Sequence, residues 1–204
     1  MKSTTAFASL ALAGAALASP IPEAAAAPSS FKINGVISGG SGCPQGSINV
    51  DYNNQGILPI YFSKEFTASV GSNVSPDQSR KNCQINLDLS YSPGWSYSVY
   101  SADYTGYADV DSGVKGVVKS TYYFSGEQAQ CSSSLQINGP YNGKYTKKDD
   151  VSLSVWSPCS GQSLLNVNAE VALTPLGSSA SGTIAAVKET GKFTNSIYIK
   201  WKQC

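Results

Sequence analysis

Residues 83–91 read Cys-Gln-Ile-Asn-Leu-Asp-Leu-Ser-Tyr, an unbroken alternation of apolar and polar side chains. Successive side chains of a strand point to opposite faces, so Ile85, Leu87, Leu89 and Tyr91 face a core while Gln84, Asn86, Asp88 and Ser90 face water. The same period recurs along the chain. Ile48, Val50 and Tyr52 alternate with Asn49 and Asp51, and Val151, Leu153 and Val155 with Ser152, Ser154 and Trp156. Leu165, Val167, Ala169, Val171 and Leu173 alternate with Asn166, Asn168, Glu170 and Ala172, and Ile197, Ile199 and Trp201 with Tyr198, Lys200 and Lys202. Weaker runs lie at Ile57–Ser63, Phe66–Gly71, Trp95–Tyr100, Val117–Phe124, Leu135–Asn138 and Gly182–Lys188. Turn residues separate them, as in Asn53-Asn54-Gln55-Gly56, Ser92-Pro93-Gly94, Asn138-Gly139-Pro140, Tyr141-Asn142-Gly143 and Pro175-Leu176-Gly177. About ten strands and no helical run of comparable length predict an all-β chain. The expected architecture is a single antiparallel β-sandwich, jelly-roll-like and disulfide-stabilised.

The first residues read as a signal for export. Lys2 is followed by an apolar run from Ala6 to Ala18 that ends in a small-x-small pattern, so residues 1–18 are expected to be a signal peptide. The run is shorter than the roughly 20 apolar residues of a membrane span. Residues 19–30, rich in Pro, Ala and Ser, read as a spacer or pro-segment, which leaves 31–204 for the β-sandwich domain. A secreted protein without a membrane span is expected, either free outside the cell or associated with its wall.

Fourteen basic and thirteen acidic residues nearly cancel, and no basic stripe marks a nucleic-acid partner. Five cysteines stand at 43, 83, 131, 159 and 204, with no histidine and no C-x-x-C pair. In an oxidising compartment this spacing reads as a disulfide framework rather than zinc ligation, and the odd number leaves one thiol over. No cofactor is expected.

The missing histidine removes whole classes of chemistry. Ser-His-Asp and Cys-His nucleophilic systems need an imidazole base, and so do His-ligated metals. Paired carboxylates remain, the equipment of a glycoside hydrolase, yet Asp51, Asp88 and Glu170 fall on predicted wet faces where solvation explains them. Asp109 and Asp111 are a weak calcium candidate if the chain there is extended; exposed acids before a turn are the blander alternative. Trp156, Tyr104 and Tyr107 are candidates for an aromatic ligand platform, set against packing in a core or corner. Asn73-Val74-Ser75 is a glycosylation sequon followed by Pro76.

Several motifs in combination carry a family resemblance. They are Ser41-Gly42-Cys43-Pro44, Arg80-Lys81-Asn82-Cys83-Gln84-Ile85, Ser92-Pro93-Gly94-Trp95-Ser96-Tyr97-Ser98-Val99 and Asp103-Tyr104-Thr105-Gly106-Tyr107-Ala108. Thr121-Tyr122-Tyr123-Phe124-Ser125-Gly126, Val155-Trp156-Ser157-Pro158-Cys159 and the closing Trp201-Lys202-Gln203-Cys204 complete the set. The chain resembles the domain-of-unknown-function family 4360, small secreted proteins frequent in filamentous fungi. The resemblance implies a secreted fungal β-protein with cysteines equivalent to 43, 83, 159 and 204, and it supplies no catalytic residues. Ser160-Gly161 departs from the glycine that usually follows the Ser-Pro-Cys cysteine, and Cys131 lies outside the motifs. The four motif cysteines are expected to pair as Cys43–Cys83 and Cys159–Cys204, leaving Cys131 unpaired; spacing alone leaves other pairings open.

The function expected is that of a secreted non-enzymatic binding or interaction protein acting at the fungal wall or a host surface. Its partners would be cell-wall polysaccharide or an extracellular protein. A carbohydrate-binding module is the alternative, and a carboxylate glycoside hydrolase the third.

Overall fold

The computed structural model describes residues 27–53, 56–150, 155–177, 179–184 and 193–204. The expected signal peptide and most of the spacer lie outside the described residues. So do parts of the expected strands at Val151–Val155 and Gly182–Lys188, and of the turn at Asn53–Gly56.

The described residues form twelve strands: β1 (Phe31–Gly39), β2 (Ile48–Val50), β3 (Ile57–Phe62), β4 (Ala68–Val70), β5 (Arg80–Tyr91), β6 (Trp95–Val110), β7 (Lys115–Phe124), β8 (Gln130–Asn138), β9 (Tyr141–Asp150), β10 (Gln162–Thr174), β11 (Gly182–Ile184) and β12 (Phe193–Gln203). All pairings are antiparallel. Two sheets face one another. The five-stranded sheet runs β1-β5-β10-β7-β8, and the second is centred on β6. One edge of β6 holds β12 along residues 95–105 and then β11 along 108–110, while its other edge holds β9 along 101–110.

Alternation builds the core between the sheets. Ile85, Leu87 and Leu89 of β5 and Leu165 and Val167 of β10 are fully buried, as are Leu58, Ile60 and Phe62 of β3 and Ile197 of β12 on the other side. Each such side chain contributes roughly 1.5–3 kcal/mol by leaving water. The polar set at the centre is paired as well. Tyr122 donates to Asn195 Oδ1 at 3.3 Å, Asn195 Nδ2 donates to Ser120 Oγ at 3.0 Å, and Tyr104 donates to the Ser133 carbonyl at 3.3 Å.

Two irregularities change which residues face inward. Between β6 and β12 the register slips: Tyr198 stands opposite Ser101 and Ile199 opposite Val99, which leaves Tyr100 as an extra residue. A bulge of this kind shifts the face of every later side chain by one. Tyr97 and Val99 point inward before it, and Ala102, Tyr104 and Ala108 point inward after it. A second slip between Ile33 and Gly35 interrupts β1 in the same way. The Asp149-Asp150 pair ends β9. That strand docks where Gly106 stands opposite Tyr145; a Cβ on Gly106 would meet the Tyr145 ring carbon Cζ at 2.8 Å.

Cys43 is bonded to Cys83 and Cys159 to Cys204, while Cys131 is a buried free thiol. The first bridge ties the β1–β2 connection to β5. The second joins the segment entering β10 to the residue after β12, and so fastens one sheet to the other.

Candidate functional site

The outward faces of β5, β10, β7 and β8 lie side by side, and their polar positions fall in register. Gln84, Asn168, Thr121 and Ser132 make one row across the four strands; Asn86, Asn166, Tyr123 and Gln130 make the next. A groove of about 440 Å3 runs across these rows, lined by Arg80, Lys119, Thr121, Tyr123, Gln130, Asn168 and Glu170.

Hydrogen bonds hold the lining in place. Asn168 Nδ2 donates to Gln84 Oε1 at 3.2 Å, and Gln84 Nε2 donates to the Tyr123 hydroxyl at 3.2 Å. Asn86 donates to Asn166, whose own amide donates to Ser125 Oγ at 2.9 Å. Arg80 is ion-paired with Glu170 through one guanidinium nitrogen. These amides orient one another; Asn166 is buried, while Asn168 is exposed and keeps donors and acceptors over on that side, because each carboxamide carries two N–H groups and two lone pairs. The groove thus offers fixed planar amides, one tyrosine ring and both signs of charge.

The expected platform residues scatter. Tyr104 is corrected from a surface position to the core, with no exposed area, because the extra residue at Tyr100 reverses its face. Tyr107 lies on the outer face of the other sheet and donates to Asn142 Oδ1 at 2.8 Å. Trp156 is half-buried on that same outer side, bridged to Ser98, with the Lys202 ammonium 4.0 Å from its ring centroid. One ring face of Trp156 is therefore already occupied by a cation. Tyr104 is thus out of reach, and Tyr107 stands nine residues along β6 from the Ser98 that pairs with Trp156, about 30 Å away, so the three do not form one platform.

The expected acids also have separate surroundings. Asp109 is exposed on β6. Asp111 follows the strand, and its Oδ2 accepts the Ser181 N–H at 2.7 Å and the Ser181 hydroxyl at 2.8 Å. Those two bonds, the backbone one foremost, hold its carboxyl below the ordinary aspartate range. Among the described residues no three of His, Cys, Asp and Glu gather as a ligand set. Tyr198 donates to Asp103 Oδ2 at 2.5 Å, and that bond together with desolvation pushes its hydroxyl up to about 12. Asn73 is exposed in the turn before the short 3-10 segment Pro76–Ser79.

The groove was not among the expected sites. Its signal was present as amides at alternate wet positions of two runs, Gln84 and Asn86 in one and Asn166 and Asn168 in the other. Their meeting depends on β5 pairing with β10, which alternation within either run does not state.

Comparison with known proteins places the chain. It belongs to the family described as domain of unknown function (DUF4360), which it matches over residues 29–204. A relative from Arthroderma benhamiae, described as an uncharacterized secreted protein, is 38% identical over 180 residues, spanning 87% of this chain and 73% of that one. A solved structure of TmCBM61 in complex with β-1,4-galactotriose aligns over 85% of this chain and 91% of that chain, at 9% identity and a TM-score of 0.28. A likeness of that size carries no inference about ligands.

Proposed function

We propose that this secreted protein is a non-enzymatic binding protein that holds polysaccharide against the outer face of its five-stranded sheet. The observation that carries the proposal is the groove of about 440 Å3, lined from four adjacent strands by amides, a hydroxyl, a tyrosine and charged groups. Sugars present a dense array of hydroxyls that both donate and accept, together with apolar ring faces. Planar carboxamides meet the first requirement and Tyr123 the second. Because Asn168 and Tyr123 are already held through Gln84, little of their rotamer freedom remains to be lost on binding.

The carboxylates support binding rather than hydrolysis. Asp88 and Glu170 are the two acids on the strands of this sheet, and Glu170 pairs in register with Asn82, six positions along β5 from Asp88. At about 3.4 Å per residue that is roughly 20 Å. Hydrolysis by paired carboxylates needs a separation of about 5–9.5 Å.

The test is a pull-down of the secreted protein on insoluble β-glucan, chitin and pectin. Retention on at least one polysaccharide, lost in the Tyr123→Ala/Asn168→Ala double variant and kept in Trp156→Ala, is the expected result. Retention that depends on Trp156 and ignores Tyr123 and Asn168 would move the site to the other sheet.

A further inference from the structure

The groove is unevenly charged along its length. Glu170 lies between two cations: it is ion-paired with Arg80 and stands in register beside Lys119 on β7. Arg80 spends a single nitrogen, Nη2, on that pair and its side chain is 66% exposed, so most of its donor fork faces solvent. Lys119 is exposed and has no ion pair among the described residues. Lys115, also exposed, extends the same edge of β7 by four residues. The second acid of the sheet, Asp88, is at the far end and already accepts from Gln162 Nε2 at 3.1 Å. One end of the groove therefore carries two lining cations, Arg80 and Lys119, against one carboxylate, with Lys115 farther along the strand, while the Tyr123 and Gln130 end carries no charged lining residue.

Resting on the polysaccharide proposal above, we infer that the groove selects acidic glycans, polysaccharides whose sugars bear carboxylates. A uronate carboxylate on the solvent side of Glu170, beside Arg80 and Lys119, meets the free part of the guanidinium fork, whose planar geometry suits two parallel N–H···O bonds. The same chain's ring face and hydroxyls then extend toward Tyr123, Asn168 and Gln130. Glu170 holds the Arg80 side chain in place but also competes with the ligand for it, which makes Glu170 a positioning residue with a measurable cost to affinity.

Calorimetric titration of the intact secreted protein with polygalacturonate, neutral galactan and dextran sulfate tests the assignment. Polygalacturonate is expected to bind more tightly than galactan and to weaken as salt rises. Lys119→Gln should weaken polygalacturonate about threefold, the scale of one exposed ion pair, and weaken galactan by a smaller factor. Glu170→Gln should strengthen polygalacturonate, because Arg80 is released and a repelling charge is gone; a purely structural Glu170 would give no gain. Galactan bound as tightly as polygalacturonate, with Lys119→Gln silent, overturns acid selection and leaves polysaccharide binding standing. Dextran sulfate bound as tightly as polygalacturonate overturns the carboxylate preference in favour of charge alone. Binding to none of the three, nor to the insoluble polysaccharides, overturns both proposals.

Discussion

Single residues decide which surface this fold displays. Tyr100 is one extra position in β6, and through it Tyr104 is turned from the expected ligand platform into the core while Tyr107 is turned outward. Nothing in the local sequence marks that insertion, since a bulge is a mismatch between two strands and its partner Tyr198 on β12 is 98 residues from Tyr100 (198 − 100). Cys131 is equally a product of its surroundings. It is buried, its Sγ faces the Tyr122 carbonyl at 3.8 Å, and burial pushes its thiol up to about 11. The thiol is therefore neutral at ordinary pH, and the thiolate is the reactive form. Native protein at neutral pH should resist iodoacetamide at Cys131 and take up one label per chain in urea. The raised value also fixes a sign. The preference for the neutral thiol stabilises the fold fully below the unfolded thiol's pKa and is lost as pH climbs toward 11. Rapid labelling of the folded chain at neutral pH would show that the thiol is open to solvent.

At the scale of elements, strands with one wet face announced themselves and the irregular ones did not. β5 and β10 follow a strict period of two over most of their length. β1 is not legible because Asn34-Gly35 interrupts its alternation at the bulge, and β9 because Tyr145 is the one buried residue along 141–148, among lysines, glycine and polar positions. An edge strand such as β9 owes its place to the backbone of β6 more than to apolar side chains of its own. The register of β5 can be checked directly. Leu87 is fully buried, so Leu87→Ala should cost about 2–5 kcal/mol in urea unfolding. Asp88 faces out and accepts from Gln162 and Asn34, so Asp88→Ala should cost about 1 kcal/mol or less. Reversed magnitudes would place β5 one residue out of register.

For the molecule as a whole, an all-β sandwich was legible in the alternation of its runs, and the binding face was not. The groove gathers Arg80, Lys119, Thr121, Tyr123, Gln130, Asn168 and Glu170 from four strands separated by long stretches of chain. Each is an ordinary surface residue until antiparallel pairing lines it up with the others. The Cys159–Cys204 bridge, closing a separation of 45 residues, fastens the two sheets and so helps to keep this surface rigid. The central claim is that polysaccharide lies on the outer face of the five-stranded sheet. It is tested most directly by assigning the backbone amide resonances and titrating a soluble oligogalacturonide into the labelled protein. Shifts concentrated at Gln84, Lys119, Thr121, Tyr123, Gln130, Asn168 and Glu170, with Trp156, Lys200 and Lys202 unmoved, are the predicted result. Shifts confined to Trp156, Tyr198, Lys200 and Lys202 on the opposite face would contradict it.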